Sequence, residues 1–198
     1  MRQLSHFYKL LSILVLSAFA MSCKNDATPK PKAFLALEYP NQVYKTYASD
    51  KYNFTFDKNE FASVKEVKSS ALEIHYPSMK ATIFMNYKPI EGNLNILLKD
   101  AQKLTYEHFV KADQIIEQPF VNKDHKVYGM FYNVQGDAAT NIQFYVTDSV
   151  KNFVVASLYF YAHPNFDSIL PATDYIQKDM RKMLESMQWK NNKELINK

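Results

Sequence analysis

Four histidines beyond position 23, a scatter of acids and one cysteine are the residues here whose types could do chemistry. The histidines are His75, His108, His125 and His163, with Glu73, Glu107, Asp113, Asp124 and Asp167 near them in the chain. Imidazole with carboxylate makes metal sites or acid–base pairs, provided that ligands stand at short fixed spacings or are assembled by the fold. No pair here has a tight metal-ligand spacing, so a metal-assisted enzyme would need residues from several elements. There is no His-Glu-x-x-His, no Gly-x-Ser-x-Gly and no phosphate loop, which the isolated Gly92, Gly129 and Gly136 cannot build. The expectation is no enzyme, no catalytic residue, no metal and no cofactor.

The cysteine points elsewhere. A lone Cys23 excludes an intrachain disulfide and a cysteine-based metal cluster. It follows a start carrying Arg2 and Lys9 without an acid, the apolar run Leu10 to Ala20, and then Ala20-Met21-Ser22. A helix of that run covers about 16 Å at ~1.5 Å per residue, against a hydrocarbon core of ~30 Å. It suits a cleaved export signal better than a permanent anchor. Small residues at 20 and 22 directly before a cysteine resemble the lipobox of bacterial lipoproteins. There the thiol receives a diacylglycerol, and cleavage leaves the acylated cysteine first. Each buried methylene adds ~0.8 kcal/mol and more than one chain is needed for stable anchoring. A lipidated Cys23 would therefore be the membrane partner, and its thiol would be no nucleophile.

The organisation expected is residues 1–22 as signal peptide, 23–32 as lipidated cysteine and tether, 33–190 as one domain, and 191–198 as a loose tail. The stretch Lys24 to Lys32 is polar with Pro29 and Pro31, and reads as extended. Removing the leader leaves 176 of the 198 residues, enough for a core without staples. Fourteen Tyr and fourteen Phe argue against disorder. The net charge of +4 falls to +2 without Arg2 and Lys9. No run of five like charges occurs, so a nucleic-acid partner is not expected.

The elements that must position any site are mostly strands. Alternating or aromatic-rich runs predict strands over Tyr52–Phe56, Ala71–Tyr76, Ala81–Tyr87, Lys126–Val134, Asn141–Thr147 and Phe153–Tyr161, with weaker signals over Ala33–Tyr39 and Ile115–Phe120. Short polar links such as Pro77-Ser78, Gln135-Gly136-Asp137 and Asp148-Ser149 force antiparallel pairing. Asn93 as N-cap and apolar residues from Leu94 to His108 at helical spacing predict a helix to about Ala112. A second helix is expected to open near Pro171, with Ile176, Met180, Met183, Leu184 and Met187 on its packing face. The fold class is α+β: an antiparallel sheet of about five to seven strands flanked by two main helices, similar to the PsbP-like layout. Phe153–Tyr161 is apolar on both sides, so the sheet is either covered on both faces or offers an aromatic binding face.

Several segments together resemble the gliding-motility lipoprotein GldD family of Bacteroidetes. They are Lys103-Leu-Thr-Tyr106, His108, Lys111-Ala-Asp113, Phe120 and Asn122, Val127-Tyr-Gly129, Gly136-x-Ala-Ala139, Gln143-Phe-Tyr145, Thr147-Asp-Ser149, Leu158-Tyr-Phe160, Pro164-Asn165, Asp167-Ser168 and Trp189-Lys190. Tyr87-Lys88-Pro89, Pro29 and Pro31 also fit. The chain departs from the pattern at Asp137, where the family often has Asn, and at Thr140-Asn141, where it often has Ser-Pro. The resemblance implies an accessory or assembly lipoprotein of the gliding and type IX secretion machinery. Such a protein would act through contacts with other envelope proteins, at the periplasmic face of the outer membrane. It carries no established activity or cofactor. The contact surface expected from the shared motifs contains Tyr106, His108, Asp113, Gly136, Asp148 and Asp167. The alternative is a small-ligand or lipid-binding lipoprotein with an aromatic pocket between sheet and helix.

Overall fold

The computed structural model describes residues 39–68, 70–106, 112–136, 140–161 and 166–190. The leader, Cys23, the tether and the tail from 191 lie outside the described residues, as do His108 and His163.

The apolar alternation produces strands, and their short links produce an antiparallel meander. Ten strands form in chain order: β1 (Tyr44–Ala48), β2 (Phe54–Asn59), β3 (Ser63–Lys68), β4 (Ala71–Tyr76), β5 (Ala81–Pro89), β6 (Ala112–Asn122), β7 (Val127–Gly136), β8 (Thr140–Thr147), β9 (Asn152–Phe160) and β10 (Gln188–Trp189). Among the described residues the α-helices are α1 (Leu94–Tyr106) and α2 (Phe166–Glu185), with a 3-10 turn at Pro77–Met79. Seven strands make one sheet in the order β3-β4-β5-β9-β8-β7-β6, and β1-β2-β10 make a smaller one. Every pairing is antiparallel.

The central strand β9 explains the layering. Val154, Ala156 and Leu158 are fully buried on one side, in a core shared with Ile74, Ile83, Phe144, the aromatic residues of β2, and Ile176, Met180, Met183, Leu184 and Met187. On the other side Phe153 packs with Leu97 and Ala101 of α1, flanked by Leu94, Leu98, Tyr145 and Val155. Both faces of the sheet centre are thus covered, and the methionine stripe of α2 packs inward. Gln143 of β8 fastens α1 from beneath, donating to Ala101 O (2.9 Å) and Thr105 Oγ1 (2.8 Å).

A carboxylate lies at the centre of the α2 side. Asp179 is completely buried. Its Oδ1 accepts from Gln42 Nε2 (2.9 Å) and the Tyr44 hydroxyl (2.8 Å), and its Oδ2 from Asn59 Nδ2 (2.9 Å) and the Tyr76 hydroxyl (2.9 Å). Burial pushes the Asp179 carboxyl above its ordinary range and outweighs the opposing pull of these donors. A buried carboxylate is tolerable only when its lone pairs are filled. Filling them ties the segment before β1, β1 itself, and the ends of β2 and β4 to one point on α2.

Several boundaries depart from the sequence reading. The helix α1 is described as far as Tyr106, residues 107–111 lie outside the described set, and Ala112 opens the 11-residue strand β6 instead of closing the helix. At the sheet edge β6 accommodates Pro119, whose missing N–H no central strand would tolerate. The helix α2 starts at Phe166, five residues before Pro171, so the proline sits inside the helix and not in its first turn. The buried Ile169 just before the proline and Ala172 and Thr173 just after it belong to one packed face. Their burial outweighs the local cost of the missing hydrogen bond. Tyr39 is not in a strand, and residues 33–38 of that weaker candidate are outside the described set.

Candidate functional site

At one end of the large sheet, the turns β6–β7 and β8–β9 come together with the chain before β2 and with β10. They enclose an open cleft of about 600 Å³ lined by Asn53, Asp124, His125, Lys126, Asp148, Val150, Lys151, Asn152, Trp189 and Lys190. The registers Asn122↔Val127 and Tyr128↔Thr147 bring the two turns side by side.

Asp148 builds the rim. Its Oδ1 accepts from the backbone N–H groups of Val150 (2.9 Å), Lys151 (2.7 Å) and Asn152 (2.9 Å), and its Oδ2 from Asn152 Nδ2 (2.6 Å). Burial alone would raise its pKa, but these donors outweigh it and hold the carboxyl below the ordinary range. Asn152 turns its other amide atom inward, where Oδ1 accepts from Asn53 Nδ2 (3.2 Å) and the Tyr87 hydroxyl (3.0 Å). The Thr147 hydroxyl donates to Asn152 O (2.7 Å) and accepts from Ser149 N–H (2.9 Å). On the facing wall Trp189 Nε1 donates to Lys126 O (3.0 Å), and Lys190 N–H donates to Asn53 O (3.0 Å). An exposed loop fixed at this many points is rigid, which is what a binding surface requires.

The Asp148 carboxylate is occupied on both oxygens by its own loop, so it is not placed to take a proton from a substrate. The side chains of Lys126, Lys151, His125 and Asp124 line the cleft with no hydrogen-bond or ion-pair partner among the described residues.

The other expected contact residues stand elsewhere. Gly136 lies eight residues along β7 from Tyr128, about 27 Å away at ~3.4 Å per residue. There it takes φ 109° and pairs with Ala112, next to the bulge that holds Asp113. Tyr106 is half-exposed at the end of α1 and donates its hydroxyl to Glu117 Oε1. Asp167 is in the first turn of α2. The structure therefore separates Asp148 from Asp113 and Gly136, while His108 and Cys23 are outside the described residues. Asn53, His125, Lys126, Lys151 and Asn152 join Asp148 without having been singled out as contact residues. A signal for Asn152 exists, since an Asp opening a turn bonds the backbone two to four residues on.

Two further places bear on the alternatives. His75 pairs with Glu73 (3.0 Å) and Thr82 Oγ1 (3.0 Å) on the open side of β4, an arrangement within one pair of neighbouring strands. Between α1 and the sheet an open groove of about 350 Å³ is lined by Phe84, Asn86, Leu104, Val155, Ser157 and Tyr159. Among the described residues no helix is long and apolar enough to cross a membrane.

Comparison with known proteins gives a family. The model for the family described as gliding motility lipoprotein GldD matches residues 24–189. Among solved structures, the chain is similar to the solution structure of cyanobacterial PsbP (CyanoP) from Synechocystis sp. PCC 6803, at 9% identity and a TM-score of 0.48, covering 82% of this chain and 99% of that one. No curated protein matches.

Proposed function

The chain belongs to the gliding motility lipoprotein GldD family, and from that premise we propose that it is an accessory or assembly factor of the gliding and type IX secretion machinery, acting by protein contact. In this reading acyl chains on Cys23 hold it in the cell envelope, on the periplasmic face of the outer membrane, and the folded domain is its working part. The observation that carries the reading is the extent of the family match, which starts at the residue after Cys23 and runs to Trp189 in the last strand. The rigid cleft around Asp148 and the exposed Tyr106 at the end of α1 are two separate candidate faces for partners.

The small-ligand alternative has less support. Fully buried side chains fill the space between the large sheet and α2, and the groove on the α1 side is open and shallow where a dedicated pocket would enclose its ligand.

Mild-detergent purification of the tagged full chain from membranes, followed by mass spectrometry, tests the proposal. Other envelope lipoproteins or subunits of the gliding and secretion apparatus are expected to co-purify. Recovery of the protein only as a free monomer would overturn it.

A further inference from the structure

The cleft has a feature that loop stability does not require. Among the described residues three non-glycines have positive φ, and two of them, Lys126 (φ 53°) and Ser149 (φ 66°), stand in its two turns. A left-handed backbone disfavours any residue with a Cβ, and glycine is its natural occupant. The chain nevertheless keeps a lysine at 126. Together with Lys151 and the His125 ring, its ammonium group is unpartnered among the described residues, while Lys190 Nζ gives one donor to Ser49 O (2.5 Å). The anions are arranged in the opposite way. Asp148 is saturated by its own loop, and Asp124 is the one carboxylate of the lining left open. Free cations on a rigid backbone rim, beside a carboxylate already satisfied by its own loop, attract an anionic group through charge-assisted hydrogen bonds.

We propose that the cleft between the β6–β7 and β8–β9 turns docks an acidic, extended segment of a partner protein, with its carboxylates set against Lys126, Lys151 and Lys190. This deepens the proposed function and rests on it. A lipid surface is the less fitting source of negative charge. Headgroup-binding patches gather roughly four to eight basic residues, whereas this lining has three lysines interrupted by two aspartates. The cleft is open, with a volume of about 600 Å³, so an extended chain can lie across it without having to be enclosed.

The test uses the detergent-purified full chain and three probes: a fluorescein-labelled oligoglutamate peptide, its oligoglutamine counterpart, and phosphatidylglycerol vesicles. Oligoglutamate is expected to bind, weakening with added salt, and oligoglutamine is not. The double substitution Lys126→Gln with Lys151→Gln should weaken oligoglutamate binding about tenfold. Lys65→Gln with Lys99→Gln, which removes the same charge from β3 and α1, should leave it unchanged. Lys126→Gly separates binding from folding, since it relieves the left-handed position and should lower affinity with no fall in thermal midpoint. Equal binding of oligoglutamate by all variants, or no binding at all, overturns the proposal. Vesicle binding that depends on Lys126 and Lys151, without peptide binding, replaces it with a lipid contact. Either result beside an intact set of co-purifying envelope proteins removes this cleft alone, whereas an empty co-purification removes the functional reading beneath it.

Discussion

The Tyr76 hydroxyl donates to Asp179 Oδ2 at 2.9 Å, and both residues are sealed from solvent. Asp179→Ala removes the acceptor of Tyr76, Asn59, Tyr44 and Gln42 together. Each of these neutral donors left buried and unsatisfied costs about 1–3 kcal/mol, so together they make a large share of a typical stability of about 5–15 kcal/mol. Tyr76→Phe removes one donor and should cost about 1–3 kcal/mol. Urea unfolding of both variants checks the order; a near-neutral Asp179→Ala would mean that the network contributes nothing.

Asp179 and Asp148 should bend the pH dependence of stability in opposite senses. Asp179 has a raised folded pKa, so the folded state holds its proton longer. Stability then falls as pH rises from about 3.9, the ordinary Asp value, through that raised value. Asp148 has a lowered folded pKa. Its contribution is complete above about 3.9 and is lost as pH falls through the folded value. Unfolding measured from about pH 3 to about pH 7 for Asp179→Asn and Asp148→Asn should remove one slope each. Unchanged profiles in both variants would contradict the assignment.

Gly129 is required by close approach. A Cβ there would fall on the Tyr145 carbonyl oxygen and within 2.9 Å of Val146 Cγ1, both in the paired strand β8. Gly129→Ala should therefore cost about 1–3 kcal/mol through forced separation of β7 from β8. Calorimetric unfolding that shows no loss would mean that the strands separate freely.

Pro171→Ala should stabilise the protein. Pro is about 3 kcal/mol worse than Ala inside a helix, and its advantage in restricting the unfolded chain is about 0.4–1 kcal/mol. The helix term wins, so the thermal midpoint should rise. A fall would show that the ring makes packing contacts worth more than the restored hydrogen bond.

Five inner strands are legible because their residues state their environment. In β4 the run Ala71–Tyr76 alternates, and its observed burial alternates with it. In β9 both faces are apolar, and both are covered. The edges are harder to read. Tyr44–Ala48 and Ser63–Lys68 are polar because an edge strand buries little, so their pattern resembles a loop. The apolar period of α1 runs on towards His108, and only the sheet's demand for a long edge strand explains why Ala112 is extended.

Asp179 also leaves a sequence signal, a carboxylate on the apolar stripe between Ile176 and Met183. Its partners cannot be read from the stripe, because Tyr76 and Gln42 lie 103 and 137 positions away. The cleft has the same history. Asp148 reads as a turn residue, while its neighbours Asn53, Lys126 and Trp189 arrive only once β2, β7 and β10 have been placed.

In the proposed reading, acyl chains on Cys23 and no spanning helix keep the protein in the envelope. Detergent-phase partition of the full-length chain and of Cys23→Ser, with intact mass determined on each, tests this most directly. The native protein should start at an acylated Cys23 and enter the detergent phase, whereas the variant should accumulate with its leader uncut. A variant that is trimmed to the same mature chain and enters the detergent phase equally well would contradict the account.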